Sequence, residues 1–360
     1  MSARARRRRL AAAAVGLLLA GGVSCDRAGE ADRDSGQGAE RLYVTNTGDD
    51  SLSVLDPAAR AVIASIPLGN RPHGLAPAPD GRRLYVTTEG GRGEVLAIDT
   101  ATQAIAWRLD VGANLHQPAL ARDGRHLFVP ELVGGKLYVV DVLERRVAAE
   151  IPLLDRDGTT PLMGLHNAYT GASGRWIYET AIFSRALVRI DAAGWRVDRL
   201  YPLAGQPRPA ALRADESKIY LQFSQLHGFV ELDLESGEET ARVEWPEPPG
   251  SRPGFTKCHG IAIAPGEAEL WANSSLENAV HVYSLPELVE IARIEVGRRP
   301  HGIATSADGS TVYVVNEQPA ARHGTVSVVD RVAKRVVATL DVGARPKRIH
   351  GVRLRAAPQP

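Results

Sequence analysis

One phrase recurs through this chain and constrains what it can fold into. It reads Pro72-His73-Gly74-Leu75-Ala76, then Asp80-Gly81 and Leu84-Tyr85-Val86-Thr87, and it returns as Pro300-His301-Gly302-Ile303-Ala304, then Asp308-Gly309 and Val312-Tyr313-Val314. Positions 73, 116, 166, 208, 259, 301 and 347 begin seven such phrases, spaced by 43, 50, 42, 51, 42 and 46 residues. Each unit holds four short strand signals: the phrase, a Leu-Tyr-Val-Thr type run, an alternating run such as 94–99 or 325–330, and a last run such as 336–342. Gly, Asn and Asp turns separate them. Units of this length with four strands have the period of propeller blades. The two ends fit one another, because 41–46 is a second-strand sequence with no first strand before it and 346–354 is a first strand with no second strand after it. The sequence therefore predicts an all-β, seven-bladed β-propeller of four-stranded blades, closed by pairing the N-terminal strands with the C-terminal strand. Closure leaves no open sheet edge.

A chain of 360 residues, 44% of them hydrophobic, suits a repeat array that shares its core between neighbouring units. With 43 basic and 42 acidic residues the formal charge is +1, so no nucleic acid is expected as partner. Residues 1–25 read as an export signal: Arg6 to Arg9, an apolar run too short to span a bilayer, then small residues before Cys25. Gly22-Val23-Ser24-Cys25 resembles a bacterial lipoprotein signal, in which Cys25 would be lipidated, although Gly22 stands where such signals usually carry Leu. The arginine run also permits twin-arginine export of a folded, cofactor-loaded protein. Residues 26–40 have almost nothing to bury and read as a disordered tether, 41–355 as the propeller and 356–360 as a tail. The expected location is periplasmic or at the extracellular face, with the membrane reached through the lipid anchor only. Cys258 has no partner for a disulfide within the exported domain and reads as a buried thiol.

The runs Leu42-Tyr43-Val44-Thr45-Asn46, Leu84-Tyr85-Val86-Thr87 and Val312-Tyr313-Val314-Val315-Asn316 resemble the YVTN-repeat (YncE-like) β-propeller family over about residues 41–355. The resemblance implies the same seven-bladed fold and leaves the role open among surface-layer proteins, lactonase-like enzymes and periplasmic binding proteins. It also implies that histidine at the phrase position can be inherited with the repeat.

In a propeller the innermost strand begins near the axis at the top face, so the phrase residues should converge on the channel mouth. Around the ring stand His73, His116, His166, Arg208, His259, His301 and Lys347. Three or four converging imidazoles bind zinc, copper, iron or nickel, with an open position for chemistry. Glu89, Glu131, Glu179 and Glu317, at second-strand ends, are expected on the same face, where a carboxylate can accept the second ring N–H of a ligand histidine. Arg208 and Lys347 can grip an anionic substrate above the ring, or stand as solvated rim charges. His350 would join the ring if the last phrase were shifted by three residues, but Pro346 favours Lys347.

The leading expectation is an exported, membrane-tethered propeller holding a transition metal, copper or iron, or a haem-type cofactor, in a histidine ring at the top of its channel, with redox or oxygen chemistry. The alternative is a non-catalytic periplasmic module, monomeric, that binds a small molecule or protein at its top face and carries no cofactor. A third reading, lactone hydrolysis, rests on the fold relation alone. No Ser-His-Asp order, phosphate loop, His-Glu-x-x-His helix or nucleotide fingerprint is present to support other enzyme classes.

Overall fold

A computed structural model of the chain describes residues 39–251, 256–319 and 321–354. The expected export signal with Cys25 and the tail 356–360 lie outside the described residues, as does the expected tether but for its last two residues. Glu40 already begins a strand.

Why these repeats become blades follows from what each strand can bury. Second strands such as Glu40–Asn46 and Thr311–Asn316 are buried nearly throughout, whereas the outermost strand Ala104–Gly112 alternates between exposed and half-buried residues. Successive side chains of a strand point to opposite faces. Tyr43 accordingly packs towards Leu84 and Val86 of the next blade, while Leu42 and Val44 pack towards Tyr313 and Val315 of the previous one. Repeated seven times, this gives seven apolar clusters, one between each neighbouring pair of sheets. Among the described residues, each apolar cluster is shared between two sheets.

Among the described residues there are twenty-eight strands in seven four-stranded antiparallel sheets. The strand Pro346–Arg353 pairs with Glu40–Asn46, with Tyr43 opposite His350 and Val44 opposite Ile349, so both ends of the chain build one blade. The predicted closure is present.

Turn chemistry repeats with the blades. At the end of the third strand Asp56, Asp99, Asp141, Asp191, Asp233 and Asp330 each accept two backbone N–H groups from the following turn, as Asp56 does from Ala58 (2.9 Å) and Ala59 (3.0 Å). The carboxylate stands in for backbone acceptors that the turn lacks.

Candidate metal centre

The histidines reach the mouth of the channel because of the two residues that flank their backbone. The second-strand residue in the register of Thr45 reaches across to the next blade: Thr45 Oγ1 donates to the His73 carbonyl (2.8 Å), Thr87 Oγ1 to that of His116 (2.6 Å), and Asn273 Nδ2 to that of His301 (2.7 Å). The glycine after the histidine lets that approach occur. A Cβ on Gly74 would lie 2.6 Å from the His116 carbonyl oxygen, and one on Gly260 would lie 2.0 Å from that of His301. The His-Gly pair therefore packs one ring residue against the next.

His73, His116, His166, His259 and His301 are all buried and line one cavity of about 230 Å³ with Glu89, Glu317, Arg208 and Lys347. His73, His116 and His166 each offer a nitrogen within 4.8 Å of the other two. Their rings lie 4.2 Å (His73 to His116), 4.9 Å (His116 to His166) and 6.0 Å (His73 to His166) apart. His259 and His301 stack at 3.7 Å, and His259 lies 5.5 Å from His166, so the pair adjoins the trio.

Burial holds the imidazoles neutral. It is the largest cause for all five, and the charge of Arg348 adds to it in each. His116 is pushed down to about 3, and the other four lie well below the ordinary value of 6.5. The Nδ1 atoms of His73, His116, His166 and His259 are buried with no hydrogen-bond partner. His301 Nδ1 is bonded to the Lys347 carbonyl at 2.9 Å.

Two of the four expected glutamates reach this cavity. Glu89 lies 3.9 Å from His116 Nε2 and is paired with Arg71, and Glu317 lies 3.8 Å from His301 Nε2. Glu131 and Glu179 do not line it, which corrects the expectation of four. The reason is register. Glu89 and Glu317 stand one residue past their second strands, Glu131 takes the place of Asn46, and Glu179 the place of Val44. Glu131 instead accepts the Ala113 N–H (3.0 Å), and Glu179, fully buried, accepts the backbone N–H of His166 (2.7 Å). Burial raises the Glu179 carboxyl well above its ordinary range, and its Oε2 has no partner.

Lys347 takes the ring position, where it pairs with Glu317, whose other oxygen lies 3.3 Å from Arg299. His350 lies lower, along the channel. Arg208 is half-buried and donates to Ser224 Oγ (2.7 Å), with no carboxylate partner among the described residues. Cys258 is buried, and burial pushes its thiol up to about 12. Sequence reasoning missed Arg348. It occupies the register of Gly74, Gly260 and Gly302, and an arginine where three phrases carry glycine was the signal available.

Seven closed blades with a mouth of neutral imidazoles define a β-propeller with a histidine-lined channel. The family model described as "Outer membrane protein assembly factor BamB" matches residues 48–258, and the chain belongs to that family. No curated protein matched the sequence. Among solved structures it is similar to the Pseudomonas aeruginosa periplasmic gluconolactonase (18% identity, TM-score 0.69, covering 88% of this chain and 99% of that one). It is also similar to Kuenenia stuttgartiensis hydrazine synthase (16% identity, TM-score 0.68, 85% and 99%). A third is the dihydro-heme d1 dehydrogenase NirN, solved in complex with DHE (18% identity, TM-score 0.62, 84% of this chain). The chain spans 63% of the length of NirN. At these identities the likeness is one of fold.

Proposed function

We propose that this propeller binds a transition metal, as an ion or as the centre of a larger cofactor, on His73, His116 and His166, with His259 and His301 completing the ring. The observation that carries the reading is the set of buried, neutral imidazoles whose Nδ1 atoms have no partner. A buried polar atom without a hydrogen bond costs about 1–3 kcal/mol, and a metal bond would remove that cost for any nitrogen it engages. Imidazole nitrogens around a tetrahedral ion at about 2.0–2.1 Å lie ~3.4 Å from one another, so a trio within 4.8 Å closes by small side-chain rotations. The donor set is all nitrogen, which suits copper, iron or zinc, and a bound copper or iron would supply redox or oxygen chemistry.

The residues around the ring would orient and select. Glu89 and Glu317 are near enough to His116 and His301 to fix ring orientation. Arg208, the ring-position cation with no carboxylate partner among the described residues, would hold an anionic substrate over the mouth, with Lys347 beside it. The basic leader, Cys25 and the periplasmic setting named for one structural neighbour support an exported, lipid-anchored protein. The Leu-Tyr-Val-Thr-Asn runs support a place in the YVTN-repeat branch of propellers.

The test is metal content with a visible absorption spectrum on the full chain, produced with export to the periplasm and purified without chelators. Stoichiometric copper or iron, or a haem band, is expected, and the double substitution His116→Ala with His166→Ala should remove it while the blades stay folded. A wild-type protein that stays metal-free after reconstitution would sink the proposal and leave a ligand-binding propeller.

A further inference from the structure

Below the histidine mouth the inner strands enclose a second cavity, of about 470 Å³, lined by apolar residues such as Leu75, Ile261 and Ile303 and by a few polar ones. One of these is a cation. Arg348 is 8% exposed, and no carboxylate pairs with it among the described residues. Of its five N–H donors, one set at Nη2 is met by Asn167 Oδ1 (2.8 Å), while Nε is buried without a partner and Nη1 has no acceptor among the described residues.

Asn167 ties this arginine to a second unmet donor. Because its Oδ1 faces a group that can only donate, its amide nitrogen must face the other way, and Nδ2 donates to Tyr169 Oη at 2.7 Å. The backbone N–H of Ala210 also donates to Tyr169 Oη, at 2.7 Å. With two bonds accepted, the phenol oxygen has its lone pairs engaged, and its own proton finds no acceptor among the described residues. Gln117, which also lines the cavity, does not supply one: its amide bonds the Leu75 carbonyl (2.6 Å) and receives the Leu75 N–H (3.3 Å). Two donors, one of them charged, therefore share a cavity that no carboxylate lines among the described residues; the nearby Glu179, which burial pushes towards its protonated form, bonds the His166 N–H instead.

We propose that this cavity is an anion site, in which the Arg348 guanidinium and the Tyr169 hydroxyl, held in place through Asn167, bind a small carboxylate or inorganic oxyanion. Burying a guanidinium without a counter-charge is costly, and a planar fork with an adjoining hydroxyl matches the two oxygens of a carboxylate or of a phosphate edge. Arg348 and Tyr169 line the lower cavity and Arg208 and Lys347 the upper one, although the charge of Arg348 is felt by the imidazoles of the mouth. The inference does not rest on metal binding.

The experiment is calorimetric titration of sodium formate, and separately inorganic phosphate, into the EDTA-treated full chain in a low-chloride zwitterionic buffer. Saturable binding of one anion per chain that depends on Arg348 is expected. Arg348→Gln should weaken it at least ~10-fold, the scale of a lost charge-assisted bond, and Tyr169→Phe by ~3-fold or more. Arg208→Gln, and His116→Ala with His166→Ala, should weaken it far less than Arg348→Gln does, so a failed metal assignment and a failed anion site give different results. Absence of saturable binding in the wild type overturns the proposal, as does binding that is lost with Arg208 and kept without Arg348. If Arg348→Gln does not fold, Tyr169→Phe decides, because it keeps the half-buried ring and gives up only the hydroxyl and the bonds it accepts from Asn167 Nδ2 and the Ala210 N–H.

Discussion

Replacing Arg348 by methionine should make the anion-free protein more stable. Taking the guanidinium out of water lowers its pKa to about 10, with burial the largest cause and only Tyr169 acting in the other direction. Measured from the ordinary arginine value, and at about 1.36 kcal/mol per pH unit, the charged form is disfavoured by about 3 kcal/mol. The sign is that of a cation whose folded pKa lies below its unfolded one. Both states are protonated at neutral pH, so the penalty is present in full there and fades only as pH rises above about 10. Methionine fills similar space without charge, but it gives up the bond to Asn167 Oδ1, worth about 1–2 kcal/mol. The expected net gain is about 1–2 kcal/mol, or roughly 2–5 °C in melting temperature for a domain of this size. Urea denaturation of wild type and Arg348→Met in low-chloride buffer, with and without formate, measures it. Formate should raise the wild-type midpoint and leave that of the variant unmoved. A variant less stable than wild type by more than about 1 kcal/mol would refute the reasoning, since it would mean that the guanidinium is already compensated in the folded chain.

Two further outcomes follow from the ring. Acid should destabilise the metal-free protein: His116 takes up its proton near 6.5 when unfolded but only near 3 when folded, so stability present above pH 6.5 is lost as pH falls, by about 3 kcal/mol from this residue alone at about pH 4.5. Urea midpoints measured on EDTA-treated protein between pH 7.5 and 5 should fall, and a flat profile would contradict neutral, buried imidazoles. Gly74→Ala would bring a Cβ within 2.4 Å of Pro118 and 2.6 Å of the His116 carbonyl, so it should cost ~1–3 kcal/mol and loosen the trio. Thermal melting and metal retention report on the two effects, and an unchanged melting temperature would show that the blades part there without cost.

Much of the architecture was legible because a repeat states its own rules several times over. The phrase spacing predicted seven blades, and the unmatched second-strand run at 41–46 predicted its partner in 346–354, which the pairing of Tyr43 with His350 bears out. The convergence of His73, His116, His166, His259 and His301 was legible for the same reason, since equivalent residues of equivalent blades must meet at the axis. Glutamate placement was less so. Glu89 and Glu131 both look like strand ends in sequence, but they differ by one position in register, and on a strand of period two that turns a side chain to another face.

By itself the sequence determined the blade number, the strand that closes the ring and the residues that face one another across the mouth, because these follow from periodicity. Only the tertiary structure decided which polar atoms are left without a partner. Arg348 meets Asn167 across a sequence separation of 181 residues, and Tyr169 meets Ala210 from the neighbouring blade. A hydrogen bond is satisfied or unsatisfied by atoms a few ångströms away, and in a closed ring those atoms come from whichever blade the last strand happens to complete.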